Sequence, residues 1–362
     1  MAQSAPASGD FLAAGEQKEK RGDYAGAIAD YSRALEQRPN AAAALYHRGA
    51  AEVHAGRDAA AKADLTRALA LEPINVNAYF LRGVVEAGGR EFQSALNDFN
   101  EALRLDAKFV PALVARGNVF YDRHDLENAL QDYAAALTVD PKSVDALVAR
   151  GRVWAGKGNF ARAIEDNTEA LRTSPHHATA HKFRAYNYLL TDQPAAAVAD
   201  IRELLVLDPQ RAEYHELLAD GRNMQGDDAG AVQEYRQAVQ LGSRNDYTRI
   251  KLYVLQWRLG NRPKPEDAGL AAGAGTLASK IGDLLEARIE TIDLVAAAEQ
   301  SNPTDARAAQ GKCAAYYYAG MVELIRDNAA GARVYFENSI ATAATFTGEY
   351  HFAKAELARL PK

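Results

Sequence analysis

The sequence predicts an all-α fold made of stacked helix hairpins, a solenoid. Residues 110–143 contain two runs of helical periodicity, separated by a polar turn at 123–125 and ended by Asp140-Pro141. Proline ends the second run because it has no backbone N–H to donate and disfavours helix in the residue before it. The same pattern recurs every 34 residues, and one hairpin of this length buries its apolar face only when copies stack on it.

Four columns of residues at this period define the repeat. An unbroken alanine column comprises Ala27, Ala61, Ala95, Ala129, Ala163, Ala197 and Ala231. A column of small residues comprises Gly15, Gly49, Gly83, Gly117, Gly151, Ala185 and Ala219. A third column, proline with one alanine, comprises Pro39, Pro73, Ala107, Pro141, Pro175 and Pro209. A mostly bulky column comprises Tyr31, Leu65, Phe99, Tyr133, Asn167, Ile201 and Tyr235. Small residues let two helices cross closely, and the bulky residue fills the space beside them.

This pattern closely resembles the tetratricopeptide repeat, over about residues 8–245. The resemblance implies a right-handed superhelix of helix pairs, in which the first helix of each pair lines a concave groove. The period predicts that the repeats start near Ser8, Ala42, Val76, Val110, Val144, Ala178 and Ala212.

The chain is predicted to have three parts. Residues 1–9 are small and polar and are expected to be disordered. Residues 10–245 form seven regular repeats. Residues 246–362 hold a broken repeat, a loop at 261–275 where two close prolines exclude regular helix, a repeat-like hairpin and a capping helix.

The C-terminal part has a resemblance of its own, to the new lipoprotein I family of bacterial periplasmic adaptors. The matching residues are Cys313, Ala315, Tyr317, Gly320, Glu349, Tyr350, Glu356, Leu357 and Leu360. Members of that family are periplasmic adaptors that bring proteases and cell-wall hydrolases together. The resemblance implies a periplasmic adaptor, but it does not carry the partners of that family over to this chain. The present chain has no N-terminal lipobox cysteine, so a lipid anchor is not expected.

Charge and hydropathy exclude two classes of partner. The 362 residues carry a formal net charge of −6, whereas general nucleic-acid binding needs a basic surface. No stretch approaches the roughly 20 apolar residues of a membrane span. The first ten residues have neither a basic nor an apolar region of a signal peptide. We expect a mature exported, periplasmic protein, with a cytoplasmic protein as the alternative.

The sequence contains no motif for catalysis, a cofactor or a metal, and we expect no enzyme activity. His177 and His181 lie four residues apart on one helix face, with His176 beside them, but a zinc site needs three or four ligands. Cys313, the single cysteine, lies in an aromatic helix and is expected to be a packed small side chain.

Charged residues also recur at the repeat period. Arginines precede the column of small residues at Arg48, Arg82, Arg116, Arg150 and Arg184. Aspartates precede the bulky column at Asp30, Asp64, Asp98, Asp132, Asp166 and Asp200. We expect ion pairs that hold the repeats in register. Pairing within a repeat leaves Asp30 without an arginine, pairing to the next repeat leaves Asp200, and both arrangements remain open.

The groove is the predicted binding surface, for a protein or peptide segment. Apolar, aromatic, amide and cationic residues come together there, and exposed apolar patches commonly mark binding sites. The candidate residues are Tyr46, Phe80, Val84, Asn118, Tyr121, Arg152, Lys182 and Tyr186. The predicted function is a non-catalytic interaction scaffold. The alternative is a regulatory or carrier subunit of a bacterial envelope enzyme or secretion complex.

Overall fold

The computed structural model describes residues 8–261, 276–285, 287–300, 306–344 and 347–361. Those residues form twenty helices and no strand. The predicted all-α class is therefore confirmed. The chain divides into two compact units between Val153 and Trp154, and each unit is described by itself below.

Unit 1 consists of four complete helix pairs and most of a ninth helix. The pairs are α1 Ser8–Lys20 and α2 Tyr24–Gln37, α3 Ala42–His54 and α4 Asp58–Leu71, α5 Val76–Gly88 and α6 Phe92–Leu105, and α7 Val110–Asp122 and α8 Leu126–Val139, followed by α9 Val144–Gly156. The first helix begins at Ser8, inside the segment 1–9 predicted to be disordered, and residues 1–7 lie outside the described residues. Successive first helices pack against each other, whereas successive second helices make no comparable contact. The first helices therefore line the inner side of the curve of unit 1.

Unit 2 continues the pattern and ends in a less regular region. Its helices are α10 Phe160–Thr173, α11 Ala178–Leu190, α12 Pro194–Leu207, α13 Ala212–Met224, α14 Asp228–Gln240, α15 Asp246–Arg258, α16 Leu277–Leu285, α17 Thr291–Glu299, α18 Ala306–Ile325, α19 Ala329–Ala341 and α20 Gly348–Arg359. The predicted loop 261–275 lies outside the described residues, apart from Asn261. No described helix is both long and apolar enough to cross a membrane.

In each hairpin of unit 1, the residue of the small column contacts the bulky residue of the same repeat. A Cβ atom added to Gly117 would lie 2.6 Å from Cε1 of Tyr133, a ring with no exposed surface. This distance is shorter than carbon atoms tolerate, so only glycine fits without movement of the ring. Gly320 in α18 stands in the same relation to Phe336 in α19, at 2.6 Å. The C-terminal hairpin is therefore built like the regular repeats.

Four arginines of the arginine column pair with the aspartate of their own repeat. Both Nε and Nη2 of Arg82 donate to the carboxylate of Asp98 at 2.7 Å, and Arg48, Arg116 and Arg184 bind their own aspartates in the same way. The remaining Nη1 of Arg82 donates to the hydroxyl of Thr66 in the preceding repeat at 3.2 Å. The ion pair thus belongs to one repeat and the third hydrogen bond links it to the previous one. Asp30 lies in the first repeat, where the arginine column has no member, and it binds Lys18 at 2.7 Å.

The turn inside each hairpin needs one residue in the left-handed conformation, two positions after the first helix ends. The residues at this position are Gly22, Gly56, Arg90, His124, Gly158, Asp192, Gly226 and Gly260. Positive φ brings Cβ close to the following carbonyl oxygen, so side chains are disfavoured there and glycine is not. Arg90, His124 and Asp192 accept this strain.

We expect His124→Gly to raise the free energy of unfolding by about 0.5–1 kcal/mol, because relief of the left-handed strain exceeds the added entropy of the unfolded chain. Thermal denaturation measures the effect. Gly56→Ala, at the same turn position, is the reciprocal control and should lower the melting temperature. A melting temperature unchanged or lowered in His124→Gly would contradict the assignment.

Candidate peptide-binding surface

The first-helix face of unit 1, defined by Tyr46, Phe80, Val84, Asn118, Tyr121 and Arg152, is lined by half-buried side chains. Phe80 packs edge-on against Phe109, with ring centroids 5.4 Å apart, and Tyr46 packs against a buried cluster that includes Leu45. Part of each aromatic ring therefore contributes to packing between repeats, while the rest faces outward. Such rings offer apolar contact area with little loss of conformational entropy.

A polar cluster occupies one end of this face. The guanidinium of Arg152 lies over the ring of Tyr121, with its central carbon 4.0 Å from the ring centroid. The hydroxyl of Tyr133 donates to Oδ1 of Asn118 at 2.8 Å. The amide of Asn118 has one donor group and one acceptor group, but its oxygen already accepts from Tyr133. Its Nδ2 group can still donate to a ligand carbonyl.

Arg152 differs from the arginines of the repeat column that pair with aspartates. Within unit 1 and the described residues, no carboxylate lies within ion-pair distance of it, and its buried Nε has no hydrogen-bond partner. Burial raises the pKa of the Tyr133 phenol, and the nearby positive charge of Arg152 opposes that rise. The guanidinium is thus positioned by an aromatic ring and keeps hydrogen-bonding capacity for an anion.

The opposite end of the same unit is acidic. The hydroxyl of Tyr31 donates to Glu19 at 2.7 Å, and His47 lies 3.4 Å from Glu19 and 3.8 Å from Glu16. Burial, followed by the hydrogen bond to Glu19, raises the pKa of Tyr31. The first-helix face of unit 1 therefore runs from carboxylates at its N-terminal end, through apolar rings, to a cation at its C-terminal end.

Lys182 and Tyr186 lie in unit 2, in different surroundings. The ammonium group of Lys182 binds Glu213 at 2.9 Å, so it does not present the free cation that the sequence predicted. Tyr186 is 38% exposed. Burial and the carboxylates of Glu213, Asp220 and Glu216 raise the pKa of its phenol. Lys182 and Tyr186 therefore lie among carboxylates, and Lys182 is already neutralised by one of them.

The chain itself covers part of the first helices of unit 2. Helix α20 packs against α11 and α13, as well as against α18 and α19. Ile250 and Val254 of α15 correspond to the groove positions of Phe80 and Val84, and both are 2% exposed in a core that includes Phe352 of α20. The predicted capping helix thus covers more than the last hairpin.

The histidines of the sixth repeat have structural roles. His177 accepts at Nδ1 from the backbone of Ala180 and caps α11. In His181, Nδ1 lies 2.9 Å from Asp200 and Nε2 lies 2.8 Å from the carbonyl of Pro175. The hydrogen bond to Asp200 raises the pKa of His181 against the opposing effect of burial. No group of three or more metal-ligating side chains converges in the described part of the chain.

Cys313 is fully buried, as expected for a packed small side chain. Its Sγ lies 3.3 Å from the hydroxyl of Ser339 and 3.4 Å from that of Thr347. A cysteine in this position packs the C-terminal hairpin against the start of α20 and has no access to solvent.

Family comparisons agree with the repeat geometry. The tetratricopeptide repeat family model matches residues 59–108, 114–178 and 184–246, and a further TPR repeat model matches residues 19–53. Together these segments span more than half of the chain. The chain belongs to the tetratricopeptide repeat (TPR) family. No curated protein matches it by sequence.

Solved structures show the same TPR fold. A tetratricopeptide repeat protein from Parabacteroides merdae shares 21% identity at a TM-score of 0.51, over 69% of this chain and 98% of its own. Pseudomonas aeruginosa pilF shares 20% identity at a TM-score of 0.51, over 57% of this chain and 95% of its own. YrrB, a TPR protein with an unusual peptide-binding site, shares 26% identity at a TM-score of 0.40, over 47% of this chain and 88% of its own.

Sequence reasoning missed the contacts between α20 and the repeats. Asp192 binds His351 and Lys354 across a separation of about 160 residues in the chain. One signal was present, since five of the eight turn residues given above are glycine and Asp192 is not. The carboxylate of Asp192 binds α20, but this partner cannot be read from the period.

Proposed function

We propose that this TPR protein is a non-catalytic scaffold that binds an extended or helical protein segment on the first-helix face of unit 1. The observation that carries the proposal is Arg152, a half-buried cation held against Tyr121 without a carboxylate partner in that unit. The arginines Arg48, Arg82 and Arg116 are all paired with aspartates. An arginine without a carboxylate partner in its own unit is suited to bind an anionic ligand.

The lining residues define the chemistry of the partner. Tyr46, Phe80 and Val84 favour apolar side chains, since their exposed faces are covered when a segment lies over them. The Nδ2 group of Asn118 suits a backbone carbonyl. Arg152 favours a carboxylate, from either an acidic side chain or a free C-terminus. The expected ligand is therefore an apolar segment with a carboxylate at one end.

The charge gradient gives the segment a direction. Glu16 and Glu19 repel a carboxylate at the N-terminal end of unit 1, and Arg152 attracts one at the other end. The carboxylate of the ligand is therefore expected to lie beside Arg152, in the first helix of repeat five. Salt should slow association, because the attraction between exposed charges is screened.

We expect a double change, Tyr121→Ala with Arg152→Ala, to weaken peptide binding at least tenfold. Peptides with free C-termini would be selected from a display library on the intact protein, and their dissociation constants measured by fluorescence anisotropy. The double change removes both the cation and the ring that positions it. Amidation of the selected peptide, or replacement of its acidic residue, should weaken binding to the unaltered protein and have little further effect on the variant.

Arg104→Ala provides the matched control, because Arg104 is exposed and pairs with Glu101 of its own helix. It should bind the selected peptides like the unaltered protein. Circular dichroism establishes that each variant retains its helices. Full affinity in a folded Tyr121→Ala/Arg152→Ala variant would reject the first-helix face of unit 1 as the binding site.

The predicted place of the protein in the bacterial envelope stays a prediction. It rests on the C-terminal resemblance, carried by residues such as Tyr317, Gly320 and Glu356. Fractionation of cells that express the natural gene would test it: the protein should be recovered with the periplasm, and recovery in the cytoplasm would favour the alternative.

A further inference from the structure

Helix α20 has two faces of different character. Its apolar face is buried against α18 and α19, with Phe352 2% exposed and its ring centroid 5.9 Å from that of Tyr317. Ala353 beside it is fully buried. This packing is of the kind that holds a protein core together, and separation would expose large apolar surfaces to water.

The second face of α20 meets α11 and α13 through polar contacts, which we call the polar seam. Nδ1 of His351 lies 2.9 Å from one carboxylate oxygen of Asp192, and Lys354 binds the other. One turn further on, Arg359 donates to the backbone carbonyl of Asn223 at 2.7 Å. Asp192 and Lys354 are 44% and 42% exposed, so their attraction is weak and screened by salt.

The polar seam borders a pocket that is open to solvent. The pocket has a volume of about 260 Å³ and is lined by Pro194, Met224, Lys354 and other residues of the seam. Water therefore reaches the charged side chains of the seam and weakens their attraction. The seam is therefore the weaker of the two attachments of α20.

The backbone of Asp192 is strained, so the contacts of the seam carry a conformational cost. Its φ is 56°, at the turn position where Gly158 and Gly226 stand in the neighbouring repeats of unit 2. A glycine would relieve the left-handed strain, but it would remove both carboxylate contacts to α20. The contacts to His351 and Lys354 therefore offset a conformational cost at Asp192.

We propose that the polar seam is a latch, and that α20 is an autoinhibitory strap over the first helices of repeats six and seven. When the latch opens, α20 stays packed on α18 and α19 but separates from α11 and α13. The surface that is freed includes the end of α13 around Asn223 and Met224. Asn223 stands at the repeat position of Tyr121, a candidate groove residue. The latch belongs to unit 2 and does not depend on the binding site proposed for unit 1.

The decisive variant is Asp192→Gly, studied in the full chain by hydrogen exchange with mass spectrometry. A latch predicts that amides of residues 348–359, and those of the last turn of α11, exchange at least tenfold faster in the variant. In the unaltered protein, 1 M salt should also speed their exchange. The same salt should have little further effect in Asp192→Gly.

His124→Gly is the matched control, because it relieves the same turn strain without a seam contact. If Asp192 serves only the turn, Asp192→Gly should behave like that control, with a higher melting temperature and unchanged exchange in α20. That result would overturn the proposal. Lys354→Ala attacks the latch from its exposed side without touching the turn, and it should speed α20 exchange in the same way; unchanged exchange there would equally overturn it.

Discussion

Arg82→Met is expected to destabilise the protein by about 3 kcal/mol, the lower end of the range for a buried ion pair that loses one partner. Asp98 is 5% exposed, and the change leaves its carboxylate buried without the two hydrogen bonds from the guanidinium. The bond to Thr66 of the preceding repeat is lost as well. Urea denaturation followed by circular dichroism measures the change in the free energy of unfolding.

Two further variants separate the ion pair from the packing of the arginine stem. Arg82→Met with Asp98→Leu removes the stranded charge as well, so it should cost less than Arg82→Met alone. Arg104→Met changes an exposed arginine in the same unit and should stay within about 0.5 kcal/mol of the unaltered protein. A double variant less stable than the single variant would show that the pair does not act as a unit.

Gly117→Leu is expected to cost about 1–3 kcal/mol, because the hairpin of α7 and α8 has no space for the side chain. An added Cβ would lie 2.6 Å from the buried ring of Tyr133. Ala219 stands beside Tyr235 in repeat seven, so a hairpin can be built around one methyl group. Leucine is therefore a more stringent test than alanine, and thermal denaturation measures the loss of stability.

Gly88→Leu is the control for this prediction. Gly88 lies at the end of α5, and a Cβ atom there would meet no other atom within 4 Å. A leucine at that position should leave stability unchanged or raise it slightly, since leucine favours helix over glycine. Equal losses at Gly117 and Gly88 would show that the close crossing of the two helices is not what selects glycine.

The regular part of the fold was readable from the sequence because every repeat solves the same local packing problem. The first helices begin at Ser8, Ala42, Val76, Val110, Val144, Ala178 and Ala212, the positions that the period predicts. A 34-residue period fixes which residues share a helix face, and it places small residues opposite bulky ones. Those are relations between neighbours in the chain, so one sequence suffices to state them.

The electrostatics of the candidate surface were only partly readable. The sequence identified Arg152 and Lys182 as two candidate ligand-binding cations and did not distinguish between them. The structure distinguishes them, because Glu213 neutralises Lys182 from a neighbouring first helix, while a tyrosine ring supports Arg152. Whether a charge is free depends on which side chains reach it across a helix packing distance, and the repeat period does not specify rotamers.

The sequence by itself determined the fold class and the repeat register. Only the tertiary structure decided that the arginine clamp pairs within a repeat, and that α20 returns to bind Asp192 through His351 and Lys354. The reason is physical. Contacts within and between adjacent repeats are repeated and local, whereas the return of α20 is a single contact between residues about 160 positions apart, and no periodicity records it.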